Sequence, residues 1–316
     1  MRAVVAIDGQ ATVVDRPAPV PGPGDALVSV VAAGICATDL EIVAGYTDHA
    51  GILGHEMVGR VASHPDAAWV GRRVAVSINV GCGACEVCSS AGPEHCRART
   101  VIGIRGRDGC FAPHVAAPVG NLHPVPDGVD DDAAVFTEPL AAALRVAEQL
   151  SLSTGDEVAV VGDGKLGLLI AMALEAEGAD VHLIGRHAHK LAIAAATGVH
   201  THLEGTAADR RFAVVVDATG SAEGLSAALA RVRPRGTLVL KSTVATPVPL
   251  SIPRVVVDEI RIVGSRCGPF PRALSALADG RVDPRPLIEA RYGLDEGDVA
   301  IAHAARRGAL KILLTP

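Results

Sequence analysis

Four cysteines lie in one short segment, and their spacing points to metal chemistry. The segment holds Cys82, Cys85, Cys88 and Cys96, with two, two and seven residues between them. Four thiolates on a short glycine-containing loop can converge on one tetrahedral Zn²⁺, for which thiolate is a preferred ligand. Because four thiolates close the coordination shell, we expect this zinc to be structural. The alternative is four unrelated thiols, which their clustering disfavours.

A second group of residues offers a different mixture of ligands from two separate segments. Cys36 provides a thiolate, His55 an imidazole and Glu56 a carboxylate. A catalytic zinc uses such a mixture, because it keeps one coordination position open. Taken singly, Cys36 has an alternative as a small buried hydrophobe and His55 as a core histidine.

A glycine-rich turn follows a run of apolar residues. Residues 157–161 predict a buried strand, and residues 166–177 predict a helix after it. In this setting the backbone of the turn can approach a dinucleotide pyrophosphate at the helix N-terminus. Asp163 is an awkward neighbour for phosphate and could instead cap the helix. The alternative is an ordinary strand-to-helix turn. The candidate cofactor residues here are Gly162, Gly164, Lys165, Leu166 and Gly167.

The end of the next predicted strand bears on the choice of cofactor. NAD enzymes place a carboxylate there, which binds the ribose 2′-hydroxyl. This chain instead has a basic stretch, whose guanidinium at Arg186 suits a 2′-phosphate. We therefore expect NADP(H) to be favoured over NAD(H); the alternative is a solvated basic helix start. The candidate contacts are Gly185, Arg186, His187 and Lys190.

Two regions with different patterns surround these motifs. Residues 1 to about 135 contain short strands interrupted by Gly and Pro, which favours an irregular β-rich domain. Beyond residue 141, strand candidates alternate with Ala-rich helical segments, which is typical of a doubly wound parallel sheet. These candidates are residues 181–184, 213–216, 237–240 and 260–263.

Length and composition restrict the remaining possibilities. A chain of 316 residues is long enough for two domains. A net charge of -6 and a pI near 6.0 disfavour nucleic acid as a partner. Because the sequence shows neither a signal peptide nor an apolar span, we expect a cytoplasmic protein without membrane partners. Cys110 and Cys267 are expected to be free thiols. Trp69, Tyr46 and Phe270 could line a pocket or fill the core.

In their order along the chain, these motifs resemble the zinc-dependent branch of the medium-chain dehydrogenase/reductase superfamily. The resemblance covers essentially the whole chain and includes Cys36 with Thr38, Gly54-His55-Glu56, the four cysteines, Thr137-Glu138-Pro139-Leu140-Ala141 and the glycine-rich turn. It implies an α/β fold. A GroES-like β-rich catalytic domain would comprise residues 1–140 and 283–316, with a zinc lobe at about 80–98, and a Rossmann domain would comprise residues 141–282.

The resemblance also implies roles for individual residues. Cys36, His55 and Glu138 would hold a catalytic zinc, so that each chain binds two zinc ions. Glu56 would take the fourth position when substrate is absent, and Thr38 would bind the substrate oxygen. Glu138 in this motif looks more like the polyol and threonine dehydrogenases than the liver-type alcohol dehydrogenases, whose third ligand is cysteine.

Two neighbours of Cys36 bear on positioning and proton transfer. Asp39 is a candidate partner that fixes the tautomer of His55. Glu41 stands where relatives often place a relay histidine. It is either a carboxylate relay or a solvated helix residue.

The implied activity is hydride transfer between NADP(H) and a secondary alcohol or polyol, or its ketone. The resemblance suggests that Lys241, Ser242 and Ser265 lie beside the nicotinamide, and that the chain forms a homodimer or homotetramer. Two alternatives stay open. One is an NADPH-dependent reductase of an unsaturated carbonyl or imine, and the other is a non-catalytic NADP(H)-binding protein with architectural zinc.

Overall fold

The structure is a computed structural model that describes residues 1–45, 47–206, 210–242 and 248–316. The strands are β1 Arg2–Ile7, β2 Gln10–Asp15, β3 Asp25–Gly34, β4 Glu56–Ser63, β5 Arg73–Val76, β6 Asn79–Val80, β7 Thr100–Ile102, β8 Gly106–Arg107, β9 His114–Pro118, β10 Leu122–Pro124, β11 Glu157–Val161, β12 Asp180–Gly185, β13 His200–Leu203, β14 Phe212–Asp217, β15 Val232–Leu240, β16 Arg261–Gly264, β17 Ile288–Gly293 and β18 Lys311–Thr315. The helices are α1 Ala37–Val43, α2 Glu86–Ser90, α3 Asp131–Ala134, α4 Thr137–Leu150, α5 Lys165–Ala176, α6 Ala188–Ala195, α7 Ala222–Ala230, α8 Ile252–Val257, α9 Phe270–Ala278 and α10 Gly297–Ala304.

The chain divides into two compact units. Unit 1 comprises Met1–Glu138 and Phe270–Pro316, and unit 2 comprises Pro139–Pro269. The boundary between Pro269 and Phe270 falls earlier than the boundary at 283 that the sequence suggested. The reason is that α9 packs in unit 1, where the ring of Phe270 lies 4.9 Å from that of His123.

Unit 1 is built around a mostly antiparallel sheet with the strand order β10-β5-β4-β3-β18-β17, and β9 pairs with β3. Buried and half-buried residues alternate along β3, because one face of this strand covers the core and successive side chains point to opposite faces. The last strand, β18, lies between β3 and β17. It is therefore an interior strand of the sheet, next to the edge strand β17.

Unit 2 contains a parallel sheet with the strand order β13-β12-β11-β14-β15-β16. The inner strands β11 and β12 are mostly buried apolar runs, as expected when helices cover both faces. The predicted strands at 181–184, 213–216, 237–240 and 260–263 are confirmed as β12, β14, β15 and β16. The strand order reverses between β11 and β14, where a doubly wound sheet binds ligands at its carboxyl edge.

For three aromatic residues, the sequence did not decide between lining a pocket and filling the core. Phe270 is buried in unit 1. Trp69 is partly buried and stacks on His64 with ring centroids 5.2 Å apart. Tyr46 lies outside the described residues.

Candidate metal and cofactor sites

The pairing of β3 with β4 brings Cys36 and His55 together. Gly34 at the end of β3 pairs with Glu56 at the start of β4. Cys36 follows β3 and is the N-cap residue of α1, whereas His55 immediately precedes β4. Because the two strands are antiparallel, both side chains emerge at the same end of this strand pair.

The donor atoms of Cys36, His55 and Glu56 all lie within 4.8 Å of one another. The Sγ atom of Cys36 is also 3.8 Å from the Oγ1 atom of Thr38, which lies in the first turn of α1. A thiolate, an imidazole and a carboxylate at these separations suit a single Zn²⁺. The structure therefore brings together four of the residues singled out in the sequence.

Glu138 is not a member of this group of donor atoms. It is half-buried near the start of α4. Phe136, two residues earlier, is buried with its ring centroid 5.7 Å from the Nζ atom of Lys311, which contacts Glu56. The segment that carries Glu138 thus approaches the group, and a ligand role for Glu138 stays a prediction.

Asp39 organises the loops on either side of the group. Its carboxylate accepts hydrogen bonds from the backbone N–H groups of Cys36, at 2.8 Å, and Gly54, at 3.3 Å. One of its oxygens lies 3.1 Å from His55 Nδ1, the contact expected from the sequence. Since Nδ1 is engaged in this way, Nε2 is the nitrogen left to bind a metal.

Buried negative charge dominates around His55. Asp39 is fully buried, and His55 is only 3% exposed. Burial alone would lower the pKa of His55, but the charges of Asp39 and Cys36 raise it well above its usual value. Such an excess of negative charge favours a bound cation.

Gly54 is required by the packing beneath His55. Its φ of +93° lies in the left-handed region that glycine adopts without strain. A Cβ atom at this position would lie 2.2 Å from the ring of Phe111, which is fully buried. The backbone before His55 therefore rests directly on the core of unit 1.

Lys311 is a residue of this site that the sequence analysis missed. Its ammonium group is 3% exposed and forms an ion pair with the Glu56 carboxylate, whose side chain is 2% exposed. Burial alone would lower the pKa of Lys311, but the charge of Glu56 raises it above its usual value. The only local signal is an isolated lysine within the apolar stretch 310–314.

The four clustered cysteines converge as predicted from their spacing. Their sulfur atoms all lie within 4.8 Å of one another. Measured pairs are Cys85–Cys88 at 3.5 Å, Cys85–Cys96 at 3.8 Å and Cys82–Cys88 at 3.9 Å. Two thiolates each ~2.3 Å from a tetrahedral zinc are about 3.8 Å apart, so the loop fits this metal.

A local hydrogen bond favours the thiolate form of Cys82 in this loop. The backbone N–H of Ala84 is the main cause that lowers the pKa of Cys82 to about 6, which favours the thiolate that zinc requires. By contrast, burial raises the pKa of Cys110 far above its usual value. Among the described residues, Cys110 and Cys267 form no disulfide bond and belong to none of the groups of metal donors.

In unit 2, the glycine-rich turn connects β11 to α5, as the sequence predicted. Gly162 has a φ of +115°, and a Cβ atom there would lie 2.7 Å from the carbonyl oxygen of Ala218. α5 begins at Lys165 with Gly164 as its N-cap, so Leu166 and Gly167 belong to its first turn. The turn therefore has the compact form that admits a pyrophosphate at a helix N-terminus.

Asp163 does not cap α5. Its carboxylate accepts hydrogen bonds from the backbone N–H groups of Arg186, at 2.7 Å, and His187, at 2.6 Å, in the loop after β12. Burial alone would raise the pKa of Asp163, but the hydrogen bonds from His187 and Arg186 hold it below its usual value. Asp163 thus ties the turn to the residues that follow Gly185.

The basic residues near this loop have different environments. The Arg186 side chain is 52% exposed, and its guanidinium forms an ion pair with Glu204. His187 is half-buried, and its Nδ1 atom lies 3.0 Å from Asp163. Lys190 is buried within α6, with 3% exposure, rather than displayed at the surface. Arg186 is therefore the exposed cation of the predicted contact set.

Three further candidate residues meet at the carboxyl edge of the same sheet. The ammonium group of Lys241 donates to the carbonyl oxygens of Ala142, at 2.7 Å, and Arg266, at 3.0 Å, and lies 3.4 Å from Ser265 Oγ. Ser242 Oγ accepts a hydrogen bond of 2.8 Å from Gly220. The ends of β14, β15 and β16 are thus linked around Lys241.

Comparison with known proteins finds sequence similarity over almost the full chain. Residues 22–127 match the family described as alcohol dehydrogenase GroES-like domain, and residues 166–279 match zinc-binding dehydrogenase. A sorbitol dehydrogenase of Halalkalibacterium halodurans is 29% identical over 98% of this chain and 96% of its own length.

Two solved structures share both the fold and detectable sequence similarity. A zinc-binding dehydrogenase of Sinorhizobium meliloti bound to NADP has a TM-score of 0.90 and 30% identity, over 100% of this chain and 99% of its own. A structure described as a short chain alcohol dehydrogenase from Escherichia coli CFT073, with NADH, has a TM-score of 0.91 and 27% identity, over 100% and 99%.

A β-rich unit with grouped zinc donors and a doubly wound unit with a dinucleotide turn together define a zinc-type, nicotinamide-dependent oxidoreductase. The chain belongs to the medium-chain dehydrogenase/reductase superfamily, in its zinc-dependent branch. It is an enzyme, an oxidoreductase of the zinc-binding dehydrogenase type. Among the described helices, none is long and apolar enough to cross a membrane.

Replacing Lys311 with Met should destabilise unit 1. The Glu56 carboxylate would keep its burial and lose its counter-charge, which typically costs about 3–5 kcal/mol. We expect the urea unfolding midpoint of the Lys311→Met variant to fall clearly below that of wild type.

A double-variant cycle provides the control. Lys311→Met combined with Glu56→Gln should be more stable than Lys311→Met alone, because a neutral amide is less costly to bury than an unpaired carboxylate. Additive effects of the two substitutions would contradict an energetic coupling between Glu56 and Lys311.

Proposed function

We propose that the chain transfers a hydride between a secondary alcohol or polyol and NADP⁺, and reduces the corresponding ketone in reverse. The observation that carries this proposal is the group formed by Cys36, His55 and Glu56, with Thr38 beside the thiol. The similarity to a sorbitol dehydrogenase supports the polyol class of substrate. Zinc bound at this group would act as a Lewis acid that favours ionisation of the alcohol or polarises the ketone.

The chain's own residues would position the reacting groups. Asp39 holds the backbone of Cys36 and the ring of His55, so that both donors keep a fixed direction. The hydroxyl of Thr38 can hydrogen-bond the substrate oxygen and pass its proton outward. Lys311 holds Glu56 at the edge of the group, which favours binding of substrate over binding of this carboxylate. Glu138 is proposed as the further metal ligand.

We also propose two zinc ions per chain, with a structural ion held by Cys82, Cys85, Cys88 and Cys96. The sulfur separations support four-thiolate ligation, which leaves no position for substrate. The two ions therefore have different chemistry, and their removal should have different effects.

Replacing Cys36 with Ser should abolish alcohol oxidation and reduce the zinc content from about two ions per chain to about one. Turnover is followed by the absorbance of reduced nicotinamide with a panel of polyols, amino alcohols and simple secondary alcohols. Zinc is counted by elemental analysis of the same samples.

Cys267→Ser is the matched control, because this thiol belongs to neither group of metal donors. It should retain both ions and full turnover. A Cys36→Ser variant that keeps wild-type activity would refute the proposed site. Wild-type protein with two zinc ions but no turnover of any alcohol or ketone would favour a cofactor-binding protein instead.

NADP(H) is proposed as the preferred cofactor. The exposed guanidinium of Arg186 at the end of β12 supports this preference, since it can bind a 2′-phosphate. Glu204, which forms an ion pair with Arg186, opposes it by occupying the guanidinium and adding negative charge nearby. Binding of NADP(H) thus requires Arg186 to exchange Glu204 for phosphate.

Opposite effects of two substitutions test this exchange. Arg186→Asp should lower kcat/KM for NADP⁺ by at least about tenfold and spare NAD⁺, because a carboxylate repels the 2′-phosphate and accepts from the 2′-hydroxyl. Glu204→Gln should raise the preference for NADP⁺ by releasing Arg186. An NADP⁺/NAD⁺ ratio of kcat/KM that is unchanged in both variants would contradict the assignment.

A homodimer is proposed through the outer edge of unit 2. β16 is an edge strand, and α8, the element before it in the chain, displays apolar side chains, with Val256 at 68% and Val257 at 79% exposure. A second copy of the chain would cover these side chains and pair with the open edge.

Val257→Asp should weaken this association, because a carboxylate would enter the apolar contact. We expect the sedimentation coefficient to fall towards that of a monomer at equal protein concentration. Val20→Asp is the control, since Val20 is 90% exposed in unit 1 and should leave the assembly intact. Equal sedimentation of both variants and wild type would contradict this interface.

A further inference from the structure

A cluster of ionisable side chains lies at the amino edge of the parallel sheet, opposite the edge that carries the glycine-rich turn. Glu157 opens β11, Asp180 opens β12 and His200 opens β13. Glu157 pairs with Asp180, and His182 pairs with His200. Because paired residues share a face and side chains alternate along a strand, all four project from the same face of the sheet.

The separations within this cluster suit a single metal ion. Donor atoms of Glu157, Asp180 and His182 all lie within 4.8 Å of one another. His182 Nε2 is 3.5 Å from a carboxylate oxygen of Asp180 and 3.8 Å from one of Glu157. Two ligands that are each ~2.1 Å from a metal at a tetrahedral angle are about 3.4 Å apart. One ion therefore fits between these groups with small adjustments.

The buried Nε2 atom of His182 indicates that a cation could bind within the cluster. His182 is 4% exposed, and within the described chain its Nε2 atom has no hydrogen-bond partner. Its Nδ1 atom lies 2.9 Å from His202 Nε2, so one of these nitrogens donates to the other. When Nδ1 of His182 is the donor, its Nε2 lone pair faces two carboxylates, and a cation placed there would satisfy all three groups.

The environment of His182 matches that of a metal ligand. Its ring is buried, and its Nε2 atom lies near the carboxylates of Asp180 and Glu157. Metal-binding histidines usually donate their other ring nitrogen to a neighbour that fixes the tautomer, and His202 can accept here. His200 Nε2 lies 3.4 Å from Asp180 at the open side of the cluster, where it can complete the ligand set.

Arg210 currently supplies positive charge at this cluster. Its guanidinium forms an ion pair with Glu157 and is 44% exposed. It also lies 3.4 Å from His182 Nδ1, a longer contact than the 2.9 Å between His182 and His202. Because the shorter contact is the stronger, His202 is the better candidate to set the tautomer. An incoming cation would therefore compete with Arg210 for Glu157.

We propose that Glu157, Asp180 and His182 form a third metal site, which binds a divalent transition-metal ion such as Zn²⁺, Co²⁺ or Ni²⁺. A mixed set of imidazole and carboxylate favours these ions over Mg²⁺ and Ca²⁺, which prefer oxygen ligands alone. The site is remote from the glycine-rich turn along β11 and β12, and it goes beyond the proposed hydride transfer. Its ion would join the first strands of the sheet and stabilise unit 2.

The test is a titration of the full-length protein with Zn²⁺ after its cysteine sites have been filled. Equilibrium dialysis and elemental analysis count the additional ions per chain. We expect one additional zinc in wild type, and at least about tenfold weaker binding in the Glu157→Gln/Asp180→Asn variant. A rise in unfolding midpoint with added Zn²⁺ should accompany binding in wild type and be absent from this variant.

Two further variants keep the test decisive. Glu148→Gln/Glu259→Gln removes two exposed carboxylates elsewhere in unit 2 and should retain the additional ion. Arg210→Gln should bind Zn²⁺ more tightly than wild type, because the competing guanidinium is gone. The proposal is overturned if wild type takes up no additional ion, if Glu157→Gln/Asp180→Asn binds as wild type does, or if Arg210→Gln gives no gain.

Discussion

Buried negative charge is the constraint on which unit 1 depends. Asp39 and Glu56 lie beside His55 with almost no access to water. Uncompensated, each charge would cost several kcal/mol of desolvation. The fold meets this cost with backbone N–H donors for Asp39 and with the ammonium group of Lys311 for Glu56. The remaining negative charge is concentrated beside the Cys36 thiol and the His55 imidazole. This charge favours a cation at that position.

Patterns that are local in sequence predicted much of the molecule. The spacing of the four cysteines was sufficient to predict that their sulfur atoms converge, because a short loop keeps the thiols close together. The glycine-rich turn and the apolar strands of unit 2 were predicted for a similar reason, since a strand–turn–helix unit is determined within about thirty residues. Resemblance to a known family supplied the two-domain fold and the expected ligands of a catalytic zinc.

Contacts between distant residues were beyond prediction from local pattern. Lys311 meets Glu56 across 255 positions of sequence, and nothing near either residue indicates the other. The ion pair of Arg186 with Glu204 depends on how β13 is placed next to β12. Lys190, a candidate cofactor contact, is buried because it lies on the face of α6 that packs inward. In each case, tertiary packing rather than residue type determined the outcome.

The interior position of β18 affects the order in which the units fold during synthesis. Glu56 leaves the ribosome 255 residues before Lys311, which at ~5–20 residues per second is a delay of about 13–50 s. During this interval the nascent unit 1 lacks both the counter-charge of Glu56 and the interior strand β18, whereas all of unit 2 has already been synthesised. We therefore expect unit 2 to fold before the early strands of unit 1, which pair with β18 only after it has been synthesised.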